Sequence, residues 1–477
     1  MTGRFGAHST TQLPLPNTAF RSGIIRGVLM SNAVEQVRTT HNDNLHVVAA
    51  QHSEDAMKRI VWAAMVGSVI EWFDFSVYGY LAAVMGKVFF ASSTPTVQII
   101  ASLATFAIAF LARPFGGVIC GALGDRHGRK QVLNMTLFVM AGATFCIGLI
   151  PSQASIGIAA PLLLILMRLL QGLSAGGEIS AAAIYVAEHC EDRHRTIKTA
   201  WVEVGCISGF VLGASTSFAL HEIFTDTQLV EWAWRIPFFF AAPMALVGLY
   251  IRAKLEESPL FVGARRSGEL GRVSVGMQFK QLRDHGSVML QSAGMIIVTN
   301  ITLFTVLSYI PTYLNQTLHL PGHLSLALNL APMMGLVVLI PVFARVAERL
   351  GRKPMMITAS VGILLLAQPC FKMLGSGEMW QQLLALMILN TALAMLISSI
   401  LAQIPSLFPL KVRFMAMALS YNVSVALFAG TAPLINAWLI DVTGNPLMPA
   451  YYLMFGSLLG LAALIASTDR TGRPMSG

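Results

Sequence analysis

Ionisable residues interrupt stretches of this sequence that are otherwise apolar, and their spacing is helical. Glu71, Asp74, Phe75 and Tyr78 recur at i, i+3, i+4 and i+7, which sets them on one helical face with Trp72 and Phe73 flanking it. Further along, Gln171, Ser174, Glu178 and Tyr185 share a broad face, Arg168 stands one turn before Gln171, and Glu203 adds an acid in the next apolar stretch. An ionised side chain at the centre of a membrane helix costs about 2.5–3.5 kcal/mol on insertion scales, so each implies a partner, a water-filled cavity or a function. The function open to such acids is reversible protonation, which burial and a like-charged neighbour both promote. Asp74 and Glu71 are the expected proton-coupling pair, with Glu178 and Glu203 as further candidates. The competing reading is a permanent ion pair, for instance Arg168 with Glu203, that only holds helices together.

The same inventory suits recognition of a small solute. A quaternary ammonium is well served by aromatic faces, and Trp72, Phe75, Tyr78 and Trp201 supply them. Gln171 and Arg168 lie on the neighbouring polar face, while Asn300, Asn390 and Asn422 could hold a carboxylate without a fixed charge. A di- or tricarboxylate would instead favour arginine forks, for which Arg168 and Arg113 are the candidates; Arg113, next to Pro114, reads as structural. No Walker A string, HExxH, catalytic triad pattern or Cys/His cluster is visible, so neither an enzyme nor a metal site is expected. Arg-rich voltage-sensor helices and carbonyl filter motifs are missing too, which argues against a channel. The five cysteines have no CxxC spacing and read as small buried hydrophobes. Protons are the coupling ion, and no cofactor is called for.

The elements that must position these residues follow from composition. Of 477 residues, 55% are hydrophobic and 12% charged, against about 25% charged in an average soluble chain. A water-soluble surface cannot be built from so few charges, so the chain is an all-α polytopic membrane protein. Apolar segments fall at 60–84, 98–122, 131–150, 157–187, 197–219, 234–252, 287–314, 324–344, 355–374, 380–404, 413–438 and 447–467, giving twelve transmembrane helices. Residues 1–57 read as a disordered polar tail and 469–477 as a short second tail. The connection 253–286 divides the chain into six-helix halves, 58–252 and 287–468. Arg265, Arg266, Arg272, Lys280 and Arg283 lie within it, and most of the other basic residues fall in the tails and even-numbered loops. Both termini and that connection are therefore expected in the cytoplasm. The net charge of +9 is a mark of topology, with no nucleic-acid partner implied.

The halves repeat. Gly124-Asp125-Arg126-His127-Gly128-Arg129-Lys130 follows span two, and Ala347-Glu348-Arg349-Leu350-Gly351-Arg352-Lys353 follows span eight. Preceded by Arg113-Pro114-Phe115-Gly116-Gly117, the first string resembles the loop signature of the major facilitator superfamily. Glu71-Trp72-Phe73-Asp74-Phe75, Gln171–Glu178, Trp234-Arg235-Ile236-Pro237 and Leu255-Glu256-Glu257-Ser258-Pro259 together resemble its metabolite:proton symporter family, most nearly the osmoprotectant type. The likeness to that type also runs through Gly86–Phe90, Phe145–Ser152 and Met448–Met454. It implies the major facilitator fold in a bacterial inner membrane, a monomer, and import of a zwitterionic osmolyte of the proline or betaine type with protons. Arg168 departs toward the organic-acid members, so symport of a citrate- or 2-oxoglutarate-like acid is the alternative. In the loop signature, Asp125 precedes span three, where the helix dipole favours an anion. Asp125, Arg126, Arg129, Lys130 and Arg352 are the expected cytoplasmic gate, its basic residues pairing with acids or helix ends of the opposite half when the site faces outward.

Overall fold

The computed structural model describes residues 54–127, 129–253, 282–473 and 475. Nearly all of the expected tail 1–57 and most of the 253–286 connection lie outside the described residues, as do the side chains of Asp125, Arg126, Arg129 and Lys130. From Arg59 onward the chain forms one compact unit.

Twelve helices are long and apolar enough to cross a membrane. The first six are α1 (Glu54–Tyr80), α2 (Val97–Cys120), α3 (Gln131–Leu149), α4 (Ala159–His189), α5 (Asp192–Ile223) and α6 (Ala233–Ile251). The second six are α7 (Gly286–Thr317), α8 (Gly322–Leu350), α9 (Arg352–Leu374), α10 (Met379–Leu407), α11 (Val412–Thr443) and α12 (Met448–Ala466). Their outward faces carry large apolar side chains such as Phe115, Phe138, Leu246, Leu290, Val338 and Leu365. Acyl chains solvate that exterior where water would not. Cys120, Cys206 and Cys370 are buried as expected, whereas Cys146 is exposed and Cys190 half-buried.

The sequence repeat is a packing repeat. In the first half α2 packs on α4, α3 on α4 and α3 on α6; in the second α8 packs on α10, α9 on α10 and α9 on α12. Each pair maps onto its counterpart six helices later. Two long seams, α2 against α11 and α5 against α8, join the halves and exchange under the same correspondence. The α2–α4 contact is close enough to demand glycine, because a Cβ on Gly172 would collide with the Ala109 carbonyl and one on Gly116 with that of Leu173. Part of the Gln171–Glu178 signature is therefore packing.

Two local features differ from the sequence reading. The 124–130 signature is mostly helical, since one helix runs Pro95–His127 and the next Arg129–Leu149. Its counterpart makes a sharp break at Gly351, whose φ of +106° is available to glycine and strained for other residues. The segment after α12 also folds back along this end. Gln403 donates to the Thr468 carbonyl, the Arg352 N–H to Thr471 Oγ1, and Arg195 to the Arg473 carbonyl.

Helix α7 is irregular, winding as a π-helix over Phe304–Tyr309 and again over Tyr313–Thr317. Pro311 lacks the N–H that an α-helix would direct at Leu307. The Leu307 carbonyl instead accepts bonds from Tyr80 of α1 and Asn329 of α8, each at 2.9 Å. Asn436 of α11 donates to Thr305 at 3.1 Å. Three helices therefore hold the bulged segment.

Candidate functional site

Two polar clusters and one aromatic cluster occupy the core of the bundle. In the first, Asp74 on α1 is 2% exposed, and its Oδ2 accepts a 2.6 Å bond from Gln171 Nε2 on α4. The same Gln171 amide donates to Thr144 of α3 at 2.8 Å. Arg168, fully buried one turn earlier on α4, lays its guanidinium over Tyr78, 3.4 Å from the ring centroid. Asp74 is its charged neighbour. Among the described residues, none of the three Arg168 nitrogens has a hydrogen-bond partner, a costly arrangement for a buried cation. The expected face Asp74–Tyr78 and the expected face Arg168–Gln171 thus meet, one on α1 and one on α4.

The second cluster separates Glu71 from Asp74. An Arg113 Nη on α2 donates to Glu71 Oε1, and both side chains are completely buried. Glu71 is therefore held by a cation of a neighbouring helix, the permanent-pair arrangement weighed against a proton site. The alternative pairing of Arg168 with Glu203 does not form. Glu203 lies instead beside Cys206 and close enough to Glu71 for their charges to interact. Glu178 stands apart and accepts a 2.8 Å bond from Thr136 of α3.

Trp72 is the hub of the aromatic cluster. Its ring lies 6.2 Å from Phe75, 5.2 Å from Phe210 and 6.1 Å from Phe304. Phe110 completes the group at 4.9 Å from Phe75 and 5.4 Å from Phe304. The Arg113 guanidinium sits 5.3–5.7 Å from the centroids of Trp72, Phe75 and Phe110. A delocalised cation is therefore already stabilised by three of these rings. Trp201 is half-buried and is not one of them. Asn300 is buried, but it donates to the Ile296 carbonyl of its own helix, leaving less of its amide for a ligand.

Contacts between the halves differ at the two ends of the bundle. At the end carrying the 124–130 and 347–353 repeats, Arg352 Nε on α9 donates to Thr196 of α5 at 2.9 Å. There Glu348 also accepts the Ile197 N–H at 2.8 Å, and Arg413 on α11 pairs with Glu188 on α4 at 3.3 Å. At the other end Tyr80 reaches the Leu307 carbonyl. Sequence reasoning missed Thr144, Phe110, Phe210, Phe304 and the Glu188–Arg413 pair. Hydroxyl and phenylalanine side chains in membrane helices carry no distinguishing pattern, and partners 225 positions apart leave no local signal.

Comparison with known proteins places this geometry. The sugar (and other) transporter family matches over residues 60–275 and 265–475, one stretch for each half. A proline/betaine transporter of Salmonella typhimurium is 40% identical over 88% of this chain and 85% of its own. A glycine betaine/proline/ectoine/pipecolic acid transporter of Dickeya dadantii is 39% identical over the same shares. Among solved structures, a proton:xylose symporter of the major facilitator superfamily superposes with a TM-score of 0.71 at 17% identity, covering 89% of this chain and 98% of that one. That likeness is one of fold, and it fixes the architecture of two six-helix halves. The chain belongs to the sugar (and other) transporter family, a family of transporters and not of enzymes, and it has the major facilitator fold.

Proposed function

We propose that the protein imports a small zwitterionic osmolyte of the proline or betaine type together with protons, by alternating access between its halves 58–252 and 287–468. The relatives transport such solutes, and the observation that carries the mechanism is the Asp74–Gln171 bond beside the unpartnered Arg168. With Asp74 ionised, the buried Arg168 charge is offset. A proton on Asp74 removes that offset and leaves a cation in a low-dielectric core, which costs several kcal/mol. A substrate carboxylate at Arg168 restores neutrality. Proton and solute then stabilise each other's binding, as linkage requires, and the site crosses either empty or doubly loaded. Gln171 positions Asp74, while Trp72, Phe75 and Tyr78 supply aromatic faces and Asn300 a neutral amide from the second half. Glu71, Glu178 and Glu203 are secondary proton carriers in this reading, Glu71 least so because Arg113 holds it.

The orientation follows from charge. The 124–130 and 347–353 repeats, the 253–286 connection and the tails 1–57 and 469–477 face the cytoplasm of a bacterial cell, with the protein a monomer in the inner membrane. Asp125, Arg126, Arg129, Lys130 and Arg352 close that side when the site faces outward. The second reading, symport of an organic acid, draws on the three unpartnered Arg168 nitrogens, which match a carboxylate fork. Reconstituted vesicles under an imposed pH gradient test both. Labelled betaine and proline should accumulate when the outside is acid, and excess citrate should compete poorly. Accumulation of citrate with exclusion of betaine would reverse the assignment.

A further inference from the structure

Four of the five rings of the Trp72 cluster come from the first half, Trp72 and Phe75 on α1 and one each on α2 and α5; the fifth, Phe304, comes from α7 of the second half. Phe304 is 1% exposed and stands edge-on to Phe110 and to Phe210, with interplanar angles of 89° and 83°. Arg113 uses Trp72, Phe75 and Phe110. The contacts that join Trp72, Phe210 and Phe304 are ring to ring. Within the same cluster the Trp72 indole N–H is buried and has no acceptor among the described residues. A buried orphan donor is costly and rare, and among aromatic rings that in this closed arrangement pack only on one another it marks a place where a ligand carrying both a cation and an acceptor would be stabilised. Arg113 pairs with Glu71, and Glu203 lies close enough to Glu71 for their charges to interact, so a second acid stands beside that pair and favours a positive charge nearby.

Resting on the osmolyte reading, we propose that Phe304 is the specificity-determining wall of the cation subsite: it seals a quaternary ammonium against Trp72 and Phe210. The ring sits at the start of the π-helical segment, whose position is set by Tyr80, Asn329 and Asn436. A wall carried by the opposite half is present only when the halves close on the site. Recognition of the cation thereby depends on the conformational state, and a methylated ammonium gains more from the wall than a proline ring nitrogen, which also needs hydrogen-bond acceptors.

Counterflow exchange in reconstituted vesicles, free of any proton gradient, tests this with three probes: labelled betaine, labelled proline, and tetramethylammonium as a competitor that has the cation and no carboxylate. Phe304→Leu keeps the apolar volume and removes the π-face. It should raise the half-saturating betaine concentration at least tenfold, raise that of proline less than threefold, and abolish inhibition by tetramethylammonium. Phe304→Tyr, which keeps the ring, should stay within threefold of the unaltered protein, and it serves as the reading if the leucine variant does not reconstitute: a tenfold loss of betaine preference in Phe304→Tyr would overturn the proposal. So would an unchanged betaine-to-proline preference in Phe304→Leu, or an equal loss for both solutes. Exchange of neither solute by the unaltered protein would overturn the osmolyte reading and this one with it, whereas exchange with unchanged preference strikes Phe304 alone.

Discussion

The two halves share a packing plan and divide the chemistry between them. Among the described residues, the acids and arginines buried in the middle of the bundle belong to α1, α2, α4 and α5: Glu71, Asp74, Arg113, Arg168, Glu178 and Glu203. The second half buries amides at comparable depth, namely Asn300, Asn329, Asn390, Asn422 and Asn436, and keeps Arg352 and Arg413 near the repeat-bearing end. Asn300 and Asn390 donate to the carbonyl one turn back, whereas Asn422 also donates to the Gly176 carbonyl of α4 at 2.6 Å, and Asn329 and Asn436 bond α7. Groups that change charge thus sit in one half, and groups that cannot sit in the other. A proton arriving in the first half alters local electrostatics, while the second half offers shape and neutral hydrogen bonds to be rearranged around it.

The division is broken most severely at its charged side. Glu71→Gln leaves Arg113 as an uncompensated buried cation, and losing one partner of such a pair costs about 3–5 kcal/mol. Thermal unfolding in detergent should show that loss, and Glu71→Gln with Arg113→Met should recover much of it. The counterpart test in the second half, Asn390→Leu, removes a side chain whose donor serves only its own helix and should cost less than about 1 kcal/mol. Equal destabilisation by Glu71→Gln and Asn390→Leu would erase the contrast.

Next comes coupling. Asp74→Asn keeps the size and fixes the neutral form, so proton-driven accumulation should fall at least a hundredfold while counterflow exchange survives. An increase in outside pH should slow the unaltered protein, because fewer sites carry the proton, and leave the residual exchange of Asp74→Asn insensitive. Retained accumulation in Asp74→Asn would move proton coupling to Glu203, a buried acid with no arginine partner among the described residues.

How much of this could be read from sequence depends on the range of the signal. Twelve spans and the halves were legible because apolar length and loop charge are local quantities, and the repeat was legible because Gly128 and Gly351 sit in matching strings. That Asp74 and Gln171 face each other was within reach, since each stood on an identified polar face. Which cation holds Glu71 was not. Arg113 lies 42 positions away, and its approach depends on the glycine contact that brings α2 against α4. Phe304 was further out of reach, because what distinguishes it from other phenylalanines is the π-helical winding ahead of Pro311. The signature at 124–130 looked like a loop because glycine and charge are abundant there, yet its residues up to His127 continue a helix.

The smallest expected effect sharpens the comparison at the Leu307 carbonyl, which one donor from each half shares. Tyr80 of the first half and Asn329 of the second both bond it at 2.9 Å. Removing either donor leaves the other in place, so Tyr80→Phe and Asn329→Leu should each cost only about 0.5–1.5 kcal/mol of stability. Removing both leaves a buried carbonyl with neither donor, and its desolvation cost of about 1–3 kcal/mol should make the double variant worse than the sum of the singles. The two single variants should nevertheless differ in transport. The Tyr80 bond crosses between halves, whereas the Asn329 bond stays within one. Tyr80→Phe should therefore favour opening at that end and raise the counterflow rate two- to fivefold, and Asn329→Leu should leave it within error. Identical exchange rates in the two variants would mean that the crossing bond does not restrain the halves, and the division of labour would then end at the charged core.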